Sequence, residues 1–156
     1  MKKTIFRAIT GHPDSIFKRA IFFHKKYEKA KRENNIFLKF ILACFANHYA
    51  TKYNLELYGE LGDGIKIWHS NVVINGDAKI GKNVQFHGNN CIGYKNSEGG
   101  APIIGDNVEI GYGAVILGGI YIADGTVVAA NSVVVNDFLE KDIVIGGVPA
   151  KKIKNK

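Results

Sequence analysis

Cysteine, methionine and tryptophan are scarce in this chain of 156 residues, with two, one and one copies. Cys44 and Cys91 lie in dissimilar surroundings without metal-ligand spacing, so no disulfide is expected and the usage suits a reducing compartment. Long apolar runs are also missing. The longest near the N-terminal end, IFLKFILACFA from Ile36 to Ala46, is too short for a bilayer and contains Lys39, so no membrane span is expected. No uninterrupted apolar segment with a small-residue cleavage site follows Met1-Lys2-Lys3, which predicts no secretory signal and a cytoplasmic location. Acidic residues are rare in the first third: residues 1–52 hold 12 Lys/Arg against 3 Asp/Glu, net +9, while residues 53–156 hold 9 against 11, net −2. Such a basic patch attracts acidic polymers or anionic lipid headgroups, but a solvated helix face is the commonest account of a charge run, and no nucleic-acid partner is expected.

What is present is apolar: 46% of residues are hydrophobic, enough for the core of one compact domain with a small appendage. Residues 14–33 alternate apolar and basic residues at helical spacing, with Ile16, Ala20, Phe23 and Tyr27 on one stripe and Pro13-Asp14-Ser15 as the start. Asn34-Asn35 interrupts. A second helix from about Ile36 to Tyr53 carries Phe37, Phe40, Ile41, Cys44 and Phe45 on one side. The two are expected to form a helical cap, residues 1–53, with an apolar face to bury. His24 and His48 read as ordinary helix-surface histidines.

After Tyr53 the pattern changes. Steps of six from Ile74 reach Ile80, Phe86, Ile92, Glu98, Ile104, Ile110, Ile116, Ile122, Val128 and Val134; ten of these eleven are Ile, Val or Phe, too regular for chance. Backwards the register continues through Ile67, Leu61 and Leu55, with one step of seven between Ile67 and Ile74. A helix repeats near 3.6 and a strand at 2. A period of six fits short strands joined by tight turns, three to a coil, stacked so that aliphatic ladders fill a triangular prism. Gly81, Gly93, Gly105, Gly111 and Asn75 directly follow ladder residues and are expected at turns with unusual backbone angles. Ala78, Ala114, Thr126 and Ser132 share another fixed place in the repeat. Glu98 is the one break, so residues 94–102, YKNSEGGAP, are expected to leave the prism as a loop suited to binding. The expected fold is mainly β: the cap, a prism over 54–150 and a basic tail at 151–156.

These hexads, closed by GGVPAKKIK at 146–154, resemble the left-handed parallel β-helix of the hexapeptide-repeat acyltransferases across about 100 residues. Helices followed by KYNLEL, LGDGIKIWH, VVIN and AKIGKNV resemble the serine O-acetyltransferase branch, which includes small relatives that acetylate sugars of capsules, exopolysaccharides and O-antigens. The resemblance implies acetyl-CoA as co-substrate, no metal, and a homotrimer with acetyl-CoA between neighbouring prisms.

The family's general base is a histidine just before a VIN-like segment, and Ile67-Trp68-His69 ahead of Val73-Ile74-Asn75 matches it. Imidazole suits the task, taking the acceptor's hydroxyl proton during attack on the thioester and returning it to the thiolate. The family's orienting carboxylate falls on Glu56 if KYNLEL is matched to the family strand, and on Asn54 by a gapless count. His87 comes three hexads after His69, so it is expected on the same edge, to contact the acceptor or to be the base itself. Trp68 and Asn71 join it as acceptor-binding candidates. Ala114 and Ala130 match positions where a small side chain admits pantetheine, and Lys151 and Lys152 match basic residues near the nucleotide phosphates.

Two departures bear on the acceptor. Serine acetyltransferases resemble one another in an aspartate before the catalytic histidine and an Arg-His pair after the glycine-rich loop; here those places hold Trp68 and Gly100-Ala101. The segment from His69 to VIN is also one residue shorter. Trp68 offers a flat apolar face for a sugar, so the expected reaction is acetyl transfer to a hydroxyl of a surface polysaccharide or its precursor. Serine O-acetylation is the alternative, and a non-catalytic binding scaffold is the alternative of another class. A γ-type carbonic anhydrase would need three histidines about zinc, and only His69 and His87 lie on the prism.

Overall fold

A computed structural model describes residues 13–96 and 99–156, with side chains from Phe17 onward. The expectations for Met1-Lys2-Lys3, the Ile16 side chain and Glu98 fall outside these residues. Two helices open the described chain, α1 (Pro13–Arg32) and α2 (Ile36–Lys52). They pack as a hairpin about the Asn34-Asn35 interruption. Asn34 takes a left-handed φ of 54°, and the Asn35 side chain accepts the Leu38 N–H at 3.0 Å, capping α2.

Fifteen short strands then wind about three faces. The first sheet stacks β1 (Leu55–Leu57), β4 (Val72–Ile74), β7 (Asn90–Gly93), β10 (Val115–Leu117) and β13 (Val133–Val134). The second stacks β2 (Glu60–Leu61), β5 (Lys79–Ile80), β8 (Ile103–Ile104) and β11 (Tyr121–Ile122). The third stacks β3 (Lys66–Ile67), β6 (Gln85–Phe86), β9 (Glu109–Ile110), β12 (Val127–Val128), β14 (Ile143–Gly147) and β15 (Ala150–Asn155). From β1 to β14 consecutive strands lie in different sheets, so the coils pass from face to face; only β14 and β15 are neighbours in one sheet. The ladders are the register itself: Ile74, Ile92, Ile116 and Val134 succeed one another on the first face, and Ile67, Phe86, Ile110, Val128 and Ile145 on the third. Their side chains form the buried core.

Four details differ from the expectations. Leu57, not Leu55, shares a rung with Ile74, so the step to Leu61 is four rather than six; Leu55 pairs with Val72. Positive φ recurs instead three places after ladder residues, at Asn83, Asn107, Gly113, Gly125 and Asn131, with Asn71, Gly88 and Gly118 at other places. Gly81, Gly105 and Gly111, directly after ladder residues, answer to crowding instead: a Cβ on Gly111 would lie 2.6 Å from the Ala130 nitrogen of the next coil, whereas one on Gly93 would meet nothing closer than 4.0 Å. The basic segment after Ala150 is not a tail but a strand, antiparallel to β14, which covers that sheet edge and lines it with lysine. The expected break falls between Gly93, where β7 ends, and Ile103, where β8 begins; this coil runs 24 residues from Ile92 to Ile116, against 18 from Ile116 to Val134.

The cap also departs from its sequence pattern. The α1 face against the prism is Phe17, Ala20, Ile21 and His24, whereas Phe23 turns to α2 and stacks on Phe45 and Tyr49. His24 is therefore buried rather than on the surface, because the prism supplies a partner: its Nε2 donates to the Gly59 carbonyl at 2.9 Å. The apolar stripe expected to be buried on α2 is exposed, and no residue of α2 is buried.

Burial holds the His24 imidazole below its ordinary pKa, against the opposing pull of the Gly59 hydrogen bond. The unfolded chain then takes up a proton at higher pH than the folded one. The neutral ring's contribution to stability is whole above about pH 6.5 and is lost as pH falls through the lowered folded-state value. Below about pH 6 the Tm of the wild type is expected to fall more steeply than that of His24→Gln. Parallel Tm profiles in thermal melts would remove His24 as the cause.

Candidate active site

His69 stands at the corner where the third face passes into the first. Ile67 is held in register with Phe86 and Val72 with Asn90, so residues 68–71 form the turn between them. This turn rests on the one below: Trp68 N–H donates to the Phe86 carbonyl at 2.9 Å, and Asn89 N–H to the Ser70 carbonyl at 3.0 Å. Asn71, exposed, completes the turn with a left-handed φ of 61°.

Gly88 lies directly beneath His69. A Cβ there would sit 2.5 Å from the His69 Cβ, and the Gly88 φ of +108° excludes most side chains in any case. Asn90, only 2% exposed, holds this glycine: its Oδ1 accepts the Gly88 N–H at 2.9 Å while its Nδ2 donates to the Gly111 carbonyl at 2.8 Å and the Ala114 carbonyl at 3.2 Å. One satisfied buried amide thus ties two successive turns of the corner together. One coil further, the Tyr112 ring presents its edge to His69 at 6.3 Å between centroids. Gly113 and Ala130 continue the corner with almost no side chain. The His69 ring is exposed and makes no hydrogen bond among the described residues, which leaves it open to an external proton donor.

His87 is on the same edge, but beneath Trp68 rather than His69. The Trp68 ring is 43% exposed and lies 6.3 Å from the His87 ring, and its Nε1 donates to Gln85 Oε1 at 3.3 Å. His87 Nε2 in turn meets Glu109 Oε1 at 2.8 Å. Trp68, Gln85, His87 and Glu109 therefore make one polar-aromatic patch beside His69.

The other candidates lie as follows. Glu56 points outward from the middle of β1, in register with Val73, and borders a cleft of about 600 Å³ between the first sheet and the helices, shared with His24, Tyr27, Asn47, Thr51 and Asn54. No hydrogen bond joins Glu56 to His69 among the described residues. Burial, and secondarily the Glu56 charge, push the Cys91 thiol up, which marks these two as neighbours on that face. Asn54 precedes Leu55, whose partner is Val72, so it stands beside Asn71 at the His69 corner. Ala114 is fully buried, and its methyl packs inside the prism rather than facing a cofactor; Ala130 is exposed. Lys151 is exposed on β15, and Lys152 pairs with Glu140 at 2.6 Å.

Gly88, Asn90, Gln85, Glu109 and Tyr112 were not singled out from the sequence. Asn90 had a signal, being polar six residues after Val84 in a row of buried small residues. Glu109 had none, because the inserted hexad puts it 24 residues after its register partner Gln85.

Coils of three short parallel strands, with asparagine or glycine at the left-handed turns and a histidine at one corner, define a hexapeptide-repeat protein. The family model "Bacterial transferase hexapeptide (six repeats)" matches residues 101–136. The serine acetyltransferase of Buchnera aphidicola is 32% identical over 121 residues, covering 72% of this chain and 45% of that protein. Among solved structures, soybean serine acetyltransferase superposes with a TM-score of 0.75 at 29% identity, over 86% of this chain and 56% of that one. The Brucella abortus serine acetyltransferase in complex with coenzyme A gives 0.73 at 25%, over 87% and 55%. The chain belongs to the hexapeptide-repeat transferase family and resembles its serine acetyltransferase members. It spans about half the length of the relatives it matches.

Proposed function

We propose that this protein is an acetyl-CoA-dependent O-acetyltransferase with His69 as general base and a small hydroxyl compound as acceptor. The observation that carries the reading is an exposed imidazole, without a hydrogen bond among the described residues, on the solenoid corner of a chain whose relatives include serine acetyltransferases. His69 takes the acceptor's hydroxyl proton as the oxygen attacks the thioester carbon. The carbon–sulfur bond then breaks, and the imidazolium returns the proton to the departing thiolate. Acetyl-CoA supplies the acyl group; the side-chain-poor strip of Gly113 and Ala130 suits a pantetheine arm, and Lys151 suits a phosphate. The site would be completed between copies of the chain, as a homotrimer.

The relatives favour serine over the polysaccharide sugar expected from the sequence. One observation supports a saccharide as the second reading: the exposed Trp68 face beside His69 and His87, a flat apolar surface on which a sugar ring can stack. Thiol release from acetyl-CoA, measured with L-serine and with a panel of sugars, tests both. Acceptor-dependent release is expected, with serine supporting the first acceptor and a sugar the second. No release with any hydroxyl acceptor, or no acetyl-CoA binding by calorimetry, overturns the enzyme reading in favour of a binding scaffold.

A further inference from the structure

Helix α2 is apolar over most of its length, yet none of its residues is buried. A helix of this kind is normally enclosed. Ile36 and Phe37 in its first turn are 79% and 78% exposed, and Phe40 is 71% exposed. Ile41 and Phe45 extend the surface along the helix at steps of four, and Phe22 of α1 adjoins it through Phe23. The patch is contiguous and sits at the tip and flank of the helical hairpin. No helix among the described residues is long and apolar enough to cross a membrane.

The charge about this patch says what covers it. Residues 13–52 hold nine Lys/Arg against three Asp/Glu, net +6. The last turn of α1, next to Ile36 and Phe37, carries Lys29, Lys31 and Arg32; Lys39 follows on α2, and Lys26 Nζ lies 5.7 Å from the exposed Phe22 ring. Some of these cations have partners, Lys29 with Glu33 at 3.6 Å, Lys31 with Glu28 at 3.4 Å and Arg32 with Glu60 at 3.5 Å, and the hairpin stays positive after them. The same face of a second copy would bring like charge against like charge, which disfavours pairing of two hairpin tips. An anionic lipid surface takes both components at once, phenyl and aliphatic groups below the headgroups and lysine and arginine among them.

We propose that the tip of this hairpin, through Ile36, Phe37 and Phe40 with the surrounding lysines and arginines, docks the protein on an anionic membrane surface. The docking is interfacial and reversible, and it would bring the corner site to acceptors held at that surface. It does not depend on the acetyl-transfer reading, because its test measures binding alone.

The test is co-sedimentation of the full chain with vesicles of phosphatidylcholine, with and without an equal amount of phosphatidylglycerol. Binding to the anionic vesicles, weak binding to the neutral ones and release at high salt are expected. The double variant Phe37→Asp, Phe40→Asp should lower partitioning roughly tenfold or more. The variant Lys26→Glu, Lys39→Glu should lose the preference for anionic lipid. Circular dichroism and light scattering on each variant check fold and mass. Wild-type protein that stays in the supernatant with anionic vesicles overturns the proposal. So does a change of oligomeric mass in the Phe37→Asp, Phe40→Asp variant, which would show that another copy of this chain covers the face.

Discussion

Replacing His69 with alanine is expected to lower kcat for acetyl transfer by about a hundred- to ten-thousand-fold, the range a general base contributes. Stability should hardly move. The ring is exposed, accepts and donates no hydrogen bond among the described residues, and packs only edgewise near Tyr112, so its loss belongs with surface substitutions worth within about 0.5 kcal/mol. The measurement is thiol release at saturating acetyl-CoA, with a thermal melt alongside. The neighbouring histidine makes the experiment discriminating. His87 has a carboxylate partner, Glu109 at 2.8 Å, of the kind that orients a base, but it lies under the exposed Trp68 ring rather than at the open corner, which suits a group that positions an acceptor. His87→Ala is therefore expected to raise KM more than it lowers kcat. If His87→Ala loses kcat and His69→Ala keeps it, the base has been assigned to the wrong ring.

The second large effect is expected from a residue with no side chain. Gly88→Ala places a methyl 2.5 Å from the His69 Cβ and 3.1 Å from its carbonyl carbon, at a backbone φ of +108°. Both neighbours are backbone or nearly so, and they cannot swing aside as the end of a flexible side chain would. The turn carrying His69 must lift, and a displacement of about 1 Å at a catalytic group costs on the order of a hundredfold in rate. The strained φ adds roughly 1–3 kcal/mol of destabilisation. Gly76→Ala is the control. Its Cβ would meet nothing closer than 3.8 Å, so activity and Tm should stay at the wild-type level. Equal behaviour of the two variants in rate and melting would mean that the packing of Gly88 under His69 is not what seats the base.

Much of the fold was legible in the sequence because a solenoid is nearly one-dimensional: each coil contacts the next, so the repeat in the chain is the repeat in space. The ladder from Ile74 to Val134, the break between β7 and β8 and the helical hairpin all followed from spacing. The site was legible only as far as a corner histidine. Its immediate surroundings depend on which residue of one coil lies over which of the next, and the coils are not of equal length. The inserted hexad placed Glu109 against His87, and the odd step between Ile67 and Ile74 placed Gly88, rather than His87, beneath His69.

The sequence by itself determined the period, the aliphatic interior and the position of the corner histidine, since these rest on residue type at fixed spacing. Tertiary structure alone decided which glycines are crowded rather than strained and that Ala114 faces inward. It also decided that His24 is buried while the apolar side of α2 is not. Burial is a property of what packs opposite a residue, and the helical period of α1 and α2 could say which side chains share a face without saying which face meets the prism.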